Sequence, residues 1–242
     1  MASFFYFWAM AYKTLQQCIS DLDKQGELLR ITKEVNPELE MASIHLNEFE
    51  KGGKAILFKN VKGSKYAVVS NLFGSLKRSH FMFRDSLEIV KQLIDLKTNP
   101  ISAIKNPIKS LFTALNGIYS IPQKVAFPKS FKEIQIEDLP QIKCWKDDGG
   151  AFITLPQVYS EDIEKPGTIN SNLGMYRIQL SGNEYVLNEE VGMHYQIHRG
   201  IGVHQKKANQ KGEPLKVSVF VGGPPSHTFA AVMPLPEGMS EL

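Results

Sequence analysis

The sequence predicts an α+β fold, with an N-terminal α/β unit of mixed helices and strands followed by a second unit built mainly of strands. Helical and strand patterns are mixed over residues 10–97, whereas residues 130–242 carry short strand patterns without regular βαβ alternation. A barrel-like sheet is therefore favoured for the second unit. Residues 98–129 form a predicted connector interrupted by Pro100, Pro107, Pro122 and Pro128.

The N-terminal unit begins with an amphipathic helix. Its apolar residues follow the i, i+3, i+4, i+7 spacing of one helix face, and Gly26 can end the helix. These residues are Leu15, Cys18, Ile19 and Leu22. The remaining elements predicted for this unit are a strand at Leu28–Thr32, a turn at Asn36–Pro37, a helix at Glu38–Phe49, paired strands at Ala55–Asn60 and Tyr66–Asn71, and a helix at Leu87–Ile94 preceded by His80–Arg84.

In the second unit, a hairpin is predicted from strands Met175–Leu180 and Val191–Ile197, joined by a turn at Ser181–Asn183. Alternation along its first strand places Tyr176, Ile178 and Leu180 on one face, and polar residues on the other. The other predicted elements are a short connector helix at Ser110–Leu115, strands at Phe131–Ile136 and Phe152–Thr154, a buried strand at Pro214–Gly222 and a short helix at Ser226–Val232.

The hairpin region is dense in side chains that bind anions or metals. An Arg fork matches a phosphate, and Asn oxygen with imidazole suits divalent cations such as manganese. On these residue types alone, a polar strand face open to water, with surface histidines, remains an equal alternative. The residues are Asn172, Arg177, His194, Gln196, His198 and Arg199.

Composition is that of a soluble globular protein, with 43% hydrophobic and 22% charged residues. The net charge of +3 does not indicate nucleic-acid binding. Cys18 and Cys144 form no CxxC motif, which argues against a disulfide framework or zinc site and fits a reducing cytoplasm. Lysine-rich segments are predicted to be solvated loops: Lys51–Lys54, Lys62–Lys65 and Lys206–Lys211.

An apolar run occupies residues 3–12. It falls far short of the roughly 20 residues that span a bilayer, and it lacks the basic region of a signal peptide. We therefore expect at most peripheral membrane contact. Neither a GxGxxG nor a P-loop motif is present. Four further histidines are predicted to be surface or capping residues: His45, His80, His204 and His227.

Three sequence blocks, in this order and spacing, resemble the UbiD-type decarboxylases, which use prenylated flavin. The blocks are Asn172–Arg177, Gly192–Gly200 and Leu235–Glu241, with Gly222–Pro225 between the last two. The segments Met10–Leu15 and Gly26–Ile31 also resemble the opening of the family. The similarity covers residues 10–242.

This resemblance implies a split β-barrel of the flavin-reductase type, and a carboxy-lyase that removes carbon dioxide from an aromatic or α,β-unsaturated acid. The implied substrate is a 4-hydroxy-3-polyprenylbenzoate-like acid in ubiquinone or menaquinone biosynthesis, and a prenyl-FMN synthase would supply the cofactor, prenylated FMN. Full-length members form homo-oligomers and carry their acid–base carboxylates beyond the position of Leu242. We therefore expect an incomplete barrel and a chain that is inactive alone.

The resemblance also implies roles for individual residues. Asn172, His198 and Glu241 match positions that hold Mn²⁺ against the cofactor phosphate, and Glu241 matches a K⁺ site. Arg177 matches a catalytic residue that orients the substrate carboxylate, with a structural salt bridge as the alternative. The other implied cofactor contacts are Met175, Tyr176, His194, Tyr195, Gln196, Arg199, Gly200, Met233 and Pro234.

Two alternatives to a decarboxylase remain at this stage. One is a split-barrel module that binds ordinary FMN, or no flavin, without decarboxylating a substrate. The other is an inactive fragment. His194 is a departure from the family pattern, because several relatives carry Arg at this position.

Overall fold

The structure is a computed structural model that describes residues 12–98, 132–233, 235 and 240–241. Four predictions fall on residues outside these ranges. They are nearly all of the connector at residues 98–129, the helix at Ser110–Leu115 within it, most of the apolar run at residues 3–12, and the cofactor contact of Pro234.

The N-terminal unit contains a three-stranded sheet in the order β1-β2-β3, in which β1 and β2 are parallel and β3 is antiparallel to β2. This confirms the predicted paired strands. The helix at Leu76–Met82 was not predicted as a separate element. The elements are α1 (Leu15–Lys24), β1 (Leu28–Val35), α2 (Glu40–Glu50), β2 (Ala55–Val61), β3 (Val68–Ser70), α3 (Leu76–Met82) and α4 (Leu87–Thr98).

Helix α1 begins and ends as its sequence predicts. The Thr14 side chain accepts a hydrogen bond from the Gln17 N–H at 3.2 Å, which satisfies one of the free donors of the first turn. Gly26 lies just beyond the helix in the left-handed conformation, with φ of 69°. Cys18 is buried within the helix, and burial raises the pKa of its thiol to about 11.

Strand β2 is buried on both faces, which explains its continuous apolar run. Ala55 and Leu57 face the core formed with α1 and α3, whereas Ile56 and Phe58 face a second core formed with α2. The strand period of two distributes alternate residues to the two cores. The N-terminal unit is therefore a sheet between two helical layers.

The Arg78 side chain connects the loops at one end of this sheet. It is only 1% exposed, and its guanidinium donates to the carbonyl oxygens of Leu72 (2.9 Å), Gly53 (3.0 Å) and Asn71 (2.7 Å). The Glu27 carboxylate lies 3.6 Å away. One cation thus satisfies three backbone acceptors, which would otherwise be buried without donors.

The second unit contains two antiparallel three-stranded sheets, in the orders β4-β7-β8 and β6-β5-β9. The described strands do not close into one barrel, so the split barrel stays a prediction. The elements are β4 (Phe152–Ile153), β5 (Gln157–Glu161), β6 (Ser171–Gly174), β7 (Ile178–Gln179), β8 (Gly192–Met193), α5 (Gly200–Lys211), β9 (Val217–Phe220) and α6 (Pro225–Ala230), with 3-10 turns at Ile136–Asp138 and Thr168–Asn170.

The chain passes from one of these sheets to the other between β6 and β7. Tyr176, Ile178 and Leu180 lie in the core of this unit, which confirms the predicted alternation. Ile201 of α5 is completely buried in the same core. The crossing and the start of α5 are therefore held together by apolar packing.

The predicted hairpin pairs as expected, but its strands are shorter. Ile178 pairs with Met193 and Gln179 with Gly192, so that pairing within the ladder is limited to two residues on each side. The predicted turn is present, since Gly182 and Asn183 have positive φ values of 86° and 52°. Residues 185–191 follow this turn before the chain reaches β8. The connection between the two strands is therefore longer than the short turn that was predicted.

Three predictions about the secondary structure and burial of segments in the second unit are wrong. Residues 132–135 form no strand, because the Asp138 side chain accepts from the Gln135 N–H and caps a 3-10 turn. The strand predicted at Pro214–Gly222 is β9, an edge strand with exposed valines rather than a buried strand. Lys206–Lys211 lies in α5 rather than in a loop, and this helix ends at Gly212 in the left-handed conformation.

Among the described residues, no helix combines the length and apolar character needed to cross a bilayer.

We predict that Arg78→Met lowers the free energy of unfolding by about 3 kcal/mol, because three buried carbonyl groups lose their donor. Chemical denaturation followed by circular dichroism measures the effect. Arg30→Met is the control, since Arg30 is exposed and pairs only with Asp23 at the surface. Equal denaturation midpoints for the two variants would show that the buried hydrogen bonds of Arg78 do not stabilise the fold.

Candidate functional site

A cavity of about 700 Å³ lies in the second unit. It is lined by strand β6, by the segment that leads from β8 into α5, by one face of α5 and by the segment that follows α6. Nearly all the predicted cofactor residues line it. They are Asn172, Met175, Tyr176, His194, Tyr195, Gln196, His198, Arg199, Gly200, Met233 and Glu241.

Asn172 is positioned by Tyr176 and by the start of α5. Its side chain is buried, and the Tyr176 hydroxyl oxygen lies 3.2 Å from Nδ2 and 3.4 Å from Oδ1. The Ile201 N–H points to the same hydroxyl at 3.4 Å. Tyr176 therefore contacts a predicted metal ligand directly, in addition to lining the cavity.

Two glycines make this arrangement possible. A Cβ atom at Gly200 would lie 1.9 Å from Asn172 Oδ1, and one at Gly174 would lie 2.4 Å from the Tyr176 ring. A Cβ atom at either position would therefore displace the Asn172 amide or the Tyr176 ring from its present place. The glycines are thus required for close approach of the backbone to these side chains.

Glu241 is held against β6 from the far end of the chain. Its Oε2 accepts a hydrogen bond from the Leu173 N–H at 2.8 Å. The neighbouring Ser240 hydroxyl lies 2.8 Å from the Ser171 hydroxyl. These contacts place the carboxylate on the same strand that carries Asn172, although about 70 residues separate them in sequence.

The three predicted metal ligands line the same cavity. Asn172 lies on β6, Glu241 is bound to that strand, and His198 precedes Gly200 by two residues. Within the described ranges, no three His, Cys, Asp or Glu side chains form a metal-type cluster. An amide oxygen, an imidazole nitrogen and a carboxylate oxygen are nevertheless donor types that suit manganese.

The N-terminal end of α5 opens onto the cavity at Gly200, and Arg199 is exposed beside it. The first N–H groups of a helix lack acceptors within the helix and carry a partial positive charge. A phosphate is the kind of group that such an end binds, especially with an Arg beside it.

Arg177 occupies a different position from the other predicted residues, because it does not line this cavity. Its Nη2 atom lies 3.1 Å from each carboxylate oxygen of Asp148, and its guanidinium lies 3.6 Å from the centre of the Phe152 ring. The ring of His194, which does line the cavity, contacts the edge of Phe152 at 5.7 Å. Phe152 thus contacts both Arg177 and a residue of the cavity lining, His194.

An ionic cluster at one end of the cavity was not predicted. Lys207 Nζ lies 2.6 Å from Asp162 Oδ2, and His204 Nδ1 lies 2.9 Å from the Ser160 hydroxyl. His204 is buried, so its predicted surface location is wrong. Recognising α5 from the sequence would have revealed these residues, because His204 and Lys207 follow Gly200 at helical spacing on the cavity side.

Burial sets the charge state of His204. Burial is the main cause of its lowered pKa, and the nearby Asp162 carboxylate opposes the shift only in part. Burial alone would raise the pKa of Asp162, but the hydrogen bonds from Lys207 and the Glu164 N–H hold that pKa below its usual value. At neutral pH this end of the cavity therefore holds a neutral imidazole and a closed ion pair.

Together, the fold and the site define an α+β protein with a polar cavity lined by Asn, His, Arg and Glu side chains. Two family models match the chain. The 3-octaprenyl-4-hydroxybenzoate carboxy-lyase N-terminal domain matches residues 19–97, and the Rift-related domain of the same carboxy-lyase matches residues 121–242. The chain belongs to the UbiD family.

Similar proteins occur in bacteria and archaea. A 4-hydroxybenzoate decarboxylase subunit from Chlamydia pneumoniae is 38% identical over 236 residues, which is 94% of this chain and 38% of that protein. An uncharacterised protein of Archaeoglobus fulgidus is 36% identical, covering 96% of this chain and 48% of that protein. The chain thus spans less than half the length of these relatives.

Solved structures share the fold. The vanillic acid decarboxylase of Sedimentibacter hydroxybenzoicus in its closed form has a TM-score of 0.72 and 27% identity, over 95% of this chain and 47% of that one. The UbiD-class enzyme HmfF of Pelotomaculum thermopropionicum, in complex with FMN, has a TM-score of 0.69 and 22% identity, over 94% of this chain and 46% of that one. The second similarity shows the fold alone.

We predict that His204 makes stability sensitive to mild acid. Because burial lowers its pKa in the folded state, the unfolded chain binds more protons below the ordinary value of about 6.5. The stability that the neutral His204 contributes is fully present above about pH 6.5. This stability is lost as the pH falls from there through the lower pKa of His204 in the folded state. The free energy of unfolding of wild type should therefore fall more steeply than that of His204→Gln between about pH 7.5 and pH 5.

His45 and His227 also have pKa values lowered by burial, but they are present in both proteins and cancel in the difference. The measurement is urea denaturation at a series of pH values. Parallel curves for wild type and His204→Gln would contradict a buried neutral His204.

Proposed function

We propose that this chain contributes the cofactor- and metal-binding part of a UbiD-class carboxy-lyase. In this proposal, prenylated FMN and Mn²⁺ bind in the cavity, and an aromatic or α,β-unsaturated acid loses carbon dioxide beside the flavin. The observation that carries the proposal is the single cavity that Asn172, His198 and Glu241 share with the start of α5. The activity and substrate of a whole protein belong to the proposal too, since the chain spans less than half the length of its relatives.

The donor set fits a metal-bridged phosphate. Amide oxygen, imidazole nitrogen and carboxylate oxygen would hold Mn²⁺, with Glu241 also placed for K⁺. The phosphate would lie at the N–H groups of α5, beside Arg199. The absence of a Cβ at Gly200 leaves room for close approach to Asn172. The residues present therefore fit the cofactor's charged end.

The walls of the cavity would hold the flavin ring system. Met175, Tyr195 and Met233 offer apolar and aromatic surface, and His194 and Gln196 offer polar groups for ring atoms. We extend the same role to Pro234, which neighbours Met233 in sequence. The cavity volume of about 700 Å³ lies in the range of known cofactor sites.

When bound, prenylated FMN would supply the electron sink for loss of carbon dioxide. The residues of this chain would bind and orient the reactants. We assign to Arg177 the role of orienting the substrate carboxylate, because a guanidinium fork matches a carboxylate in plane.

The names of two relatives favour a phenolic acid as substrate. The Chlamydia protein is called a 4-hydroxybenzoate decarboxylase subunit, and the Sedimentibacter enzyme acts on vanillic acid. A 4-hydroxy-3-polyprenylbenzoate-like acid in ubiquinone or menaquinone biosynthesis is our specific proposal. We further propose a split β-barrel, a homo-oligomer in the full-length protein, a cytoplasmic location and a prenyl-FMN synthase as cofactor supplier.

A second candidate function is an FMN-binding module without decarboxylase activity. The observation that favours it is the engagement of Arg177 with Asp148 outside the cavity wall. A decarboxylase must bind an acid beside the flavin. Titration of 4-hydroxybenzoate into FMN-loaded protein therefore separates the two candidates, because only a decarboxylase site should change the flavin absorbance spectrum.

We predict that Asn172→Ala and His198→Ala each weaken Mn²⁺ and FMN binding together, by about 10- to 100-fold for the metal. Each removed ligand leaves the phosphate charge less compensated. Electron paramagnetic resonance measures bound Mn²⁺, and flavin fluorescence measures bound FMN in the same samples.

Asn209→Ala and His80→Ala are matched controls, because both side chains are exposed and lie outside the cavity. Wild-type retention of both ligands in the Asn172 and His198 variants would sink the proposed site.

A further inference from the structure

His204 presents one of its ring nitrogens to the cavity without a hydrogen-bond partner. The side chain is only 8% exposed, and it lines the cavity on the face of α5. Nδ1 lies 2.9 Å from the Ser160 hydroxyl, whereas no described residue forms a hydrogen bond with Nε2. Within the described ranges, the side-chain atoms that are fully enclosed without a partner are Asn71 Oδ1 and Gln157 Oε1, so Nε2 is not enclosed. A buried imidazole thus opens an unpaired nitrogen to the cavity.

Ser160 determines which ring nitrogen of His204 carries the proton. Ser160 is 1% exposed, and its hydroxyl bonds only to Nδ1 among the described residues. Burial lowers the pKa of His204, so the ring is neutral at neutral pH. A buried hydroxyl needs an acceptor for its hydrogen, and Nδ1 can accept only when it carries no proton itself. The proton therefore lies on Nε2, and the group that faces the cavity is an N–H donor.

Two contacts place this donor beside the predicted phosphate position. Ser160 pairs with Asn172 across β5 and β6, and the side chains of directly opposed residues lie about 5 Å apart on one face of a sheet. His204 follows Gly200, which approaches Asn172, by about 6 Å along α5. Because helical side chains lean toward the N-terminus, the imidazole extends toward the first turn of the helix. This is the end of α5 at which a phosphate would bind.

A neutral donor suits a phosphate that also binds a divalent cation. A further positive charge would repel Mn²⁺ on the same phosphate, whereas a neutral N–H does not. Lys207, one turn further along this face of α5, is already paired with Asp162 at 2.6 Å. The other lysine, arginine or carboxylate side chains in the described lining are Arg199 and Glu241. His204 can therefore add a hydrogen bond to the phosphate without adding charge.

We propose that His204 Nε2–H is a hydrogen-bond donor to a phosphate monoester bound in the cavity, and that Ser160 is the positioning residue that keeps the proton on Nε2. This inference rests on the proposed function, because the phosphate monoester is taken to be that of the flavin. It predicts an effect on binding of the phosphate, with no effect on binding of the flavin ring system or of the metal alone.

The test compares FMN with riboflavin, which lacks the phosphate, by flavin fluorescence in the full chain with Mn²⁺ present. His204→Leu removes the donor and should raise the Kd for FMN by about 10- to 100-fold, the effect of losing a hydrogen bond to a charged acceptor. The Kd for riboflavin should not change. His204→Gln keeps an N–H donor of similar reach, so its Kd for FMN should stay within about threefold of wild type. Ser160→Ala should raise the Kd for FMN by a smaller factor than His204→Leu.

The chain offers a matched control in its N-terminal unit. His45 Nδ1 lies 2.6 Å from the Ser70 hydroxyl, which is the same kind of pair outside the cavity. His45→Leu and Ser70→Ala should therefore leave both flavin affinities unchanged. Electron paramagnetic resonance of Mn²⁺ without flavin should show wild-type affinity in His204→Leu, because a protonated ring nitrogen is not a metal ligand.

Inorganic phosphate, added as a competitor of FMN, separates the two sources of this ligand. Competition identifies free phosphate as a second occupant of the site, and its inhibition constant should then rise in His204→Leu by the same factor as the Kd for FMN. Without competition, the site is restricted to the phosphate of the flavin.

Circular dichroism shows whether each variant is folded, and His204→Met carries the same prediction should His204→Leu not fold. An unchanged Kd for FMN in the folded variant, equal losses for FMN and riboflavin, or an equal loss in His204→Gln overturns the inference and leaves the proposed function standing. A loss of Mn²⁺ affinity in flavin-free His204→Leu does the same. A wild-type protein that binds FMN no more tightly than riboflavin overturns both.

Discussion

The close approach of helix α5 to strand β6 is the constraint on which the rest of the site depends. At Gly200 the helix comes so near to Asn172 that any side chain would overlap the amide oxygen. The contact is maintained by apolar packing of Ile201 in the core and by the Tyr176 hydroxyl between strand and helix. This packing places His198, Arg199 and the helix N-terminus against the strand that also binds Glu241. The cavity thus lies at a close contact between a helix and a strand of the second unit.

Much of the N-terminal unit could be predicted from the sequence, because its signals are local. The spacing of Cys18, Ile19 and Leu22, and the double-sided apolar run of β2, each determine an element without reference to distant residues. The second unit was harder to predict. Its strands are two to five residues long, and they are ordered by long-range contacts such as the one between Glu241 and Leu173. Helix α5 escaped prediction because His204 and several lysines obscure its buried face.

For the site, the sequence identified the kinds of side chain better than their surroundings. The conjunction of Asn172, His198 and Glu241 in one cavity agrees with the family resemblance. The partners of these residues were not foreseen. Asp148 lies 29 residues before Arg177 in sequence, and only the folded chain shows that the two side chains meet. The structure therefore places the carboxylate of Asp148 beside Arg177, whereas the sequence motif alone shows only the cation.

The central claim is that one wall of this cavity holds a divalent metal against a flavin phosphate. The most direct measurement is a crystal structure of the chain with FMN and Mn²⁺, with diffraction recorded at the manganese absorption edge. We expect one anomalous peak bonded to Asn172 Oδ1, a His198 ring nitrogen and a Glu241 carboxylate oxygen, with the FMN phosphate on its open side. FMN bound in the cavity with manganese elsewhere, or FMN bound outside the cavity, would contradict it.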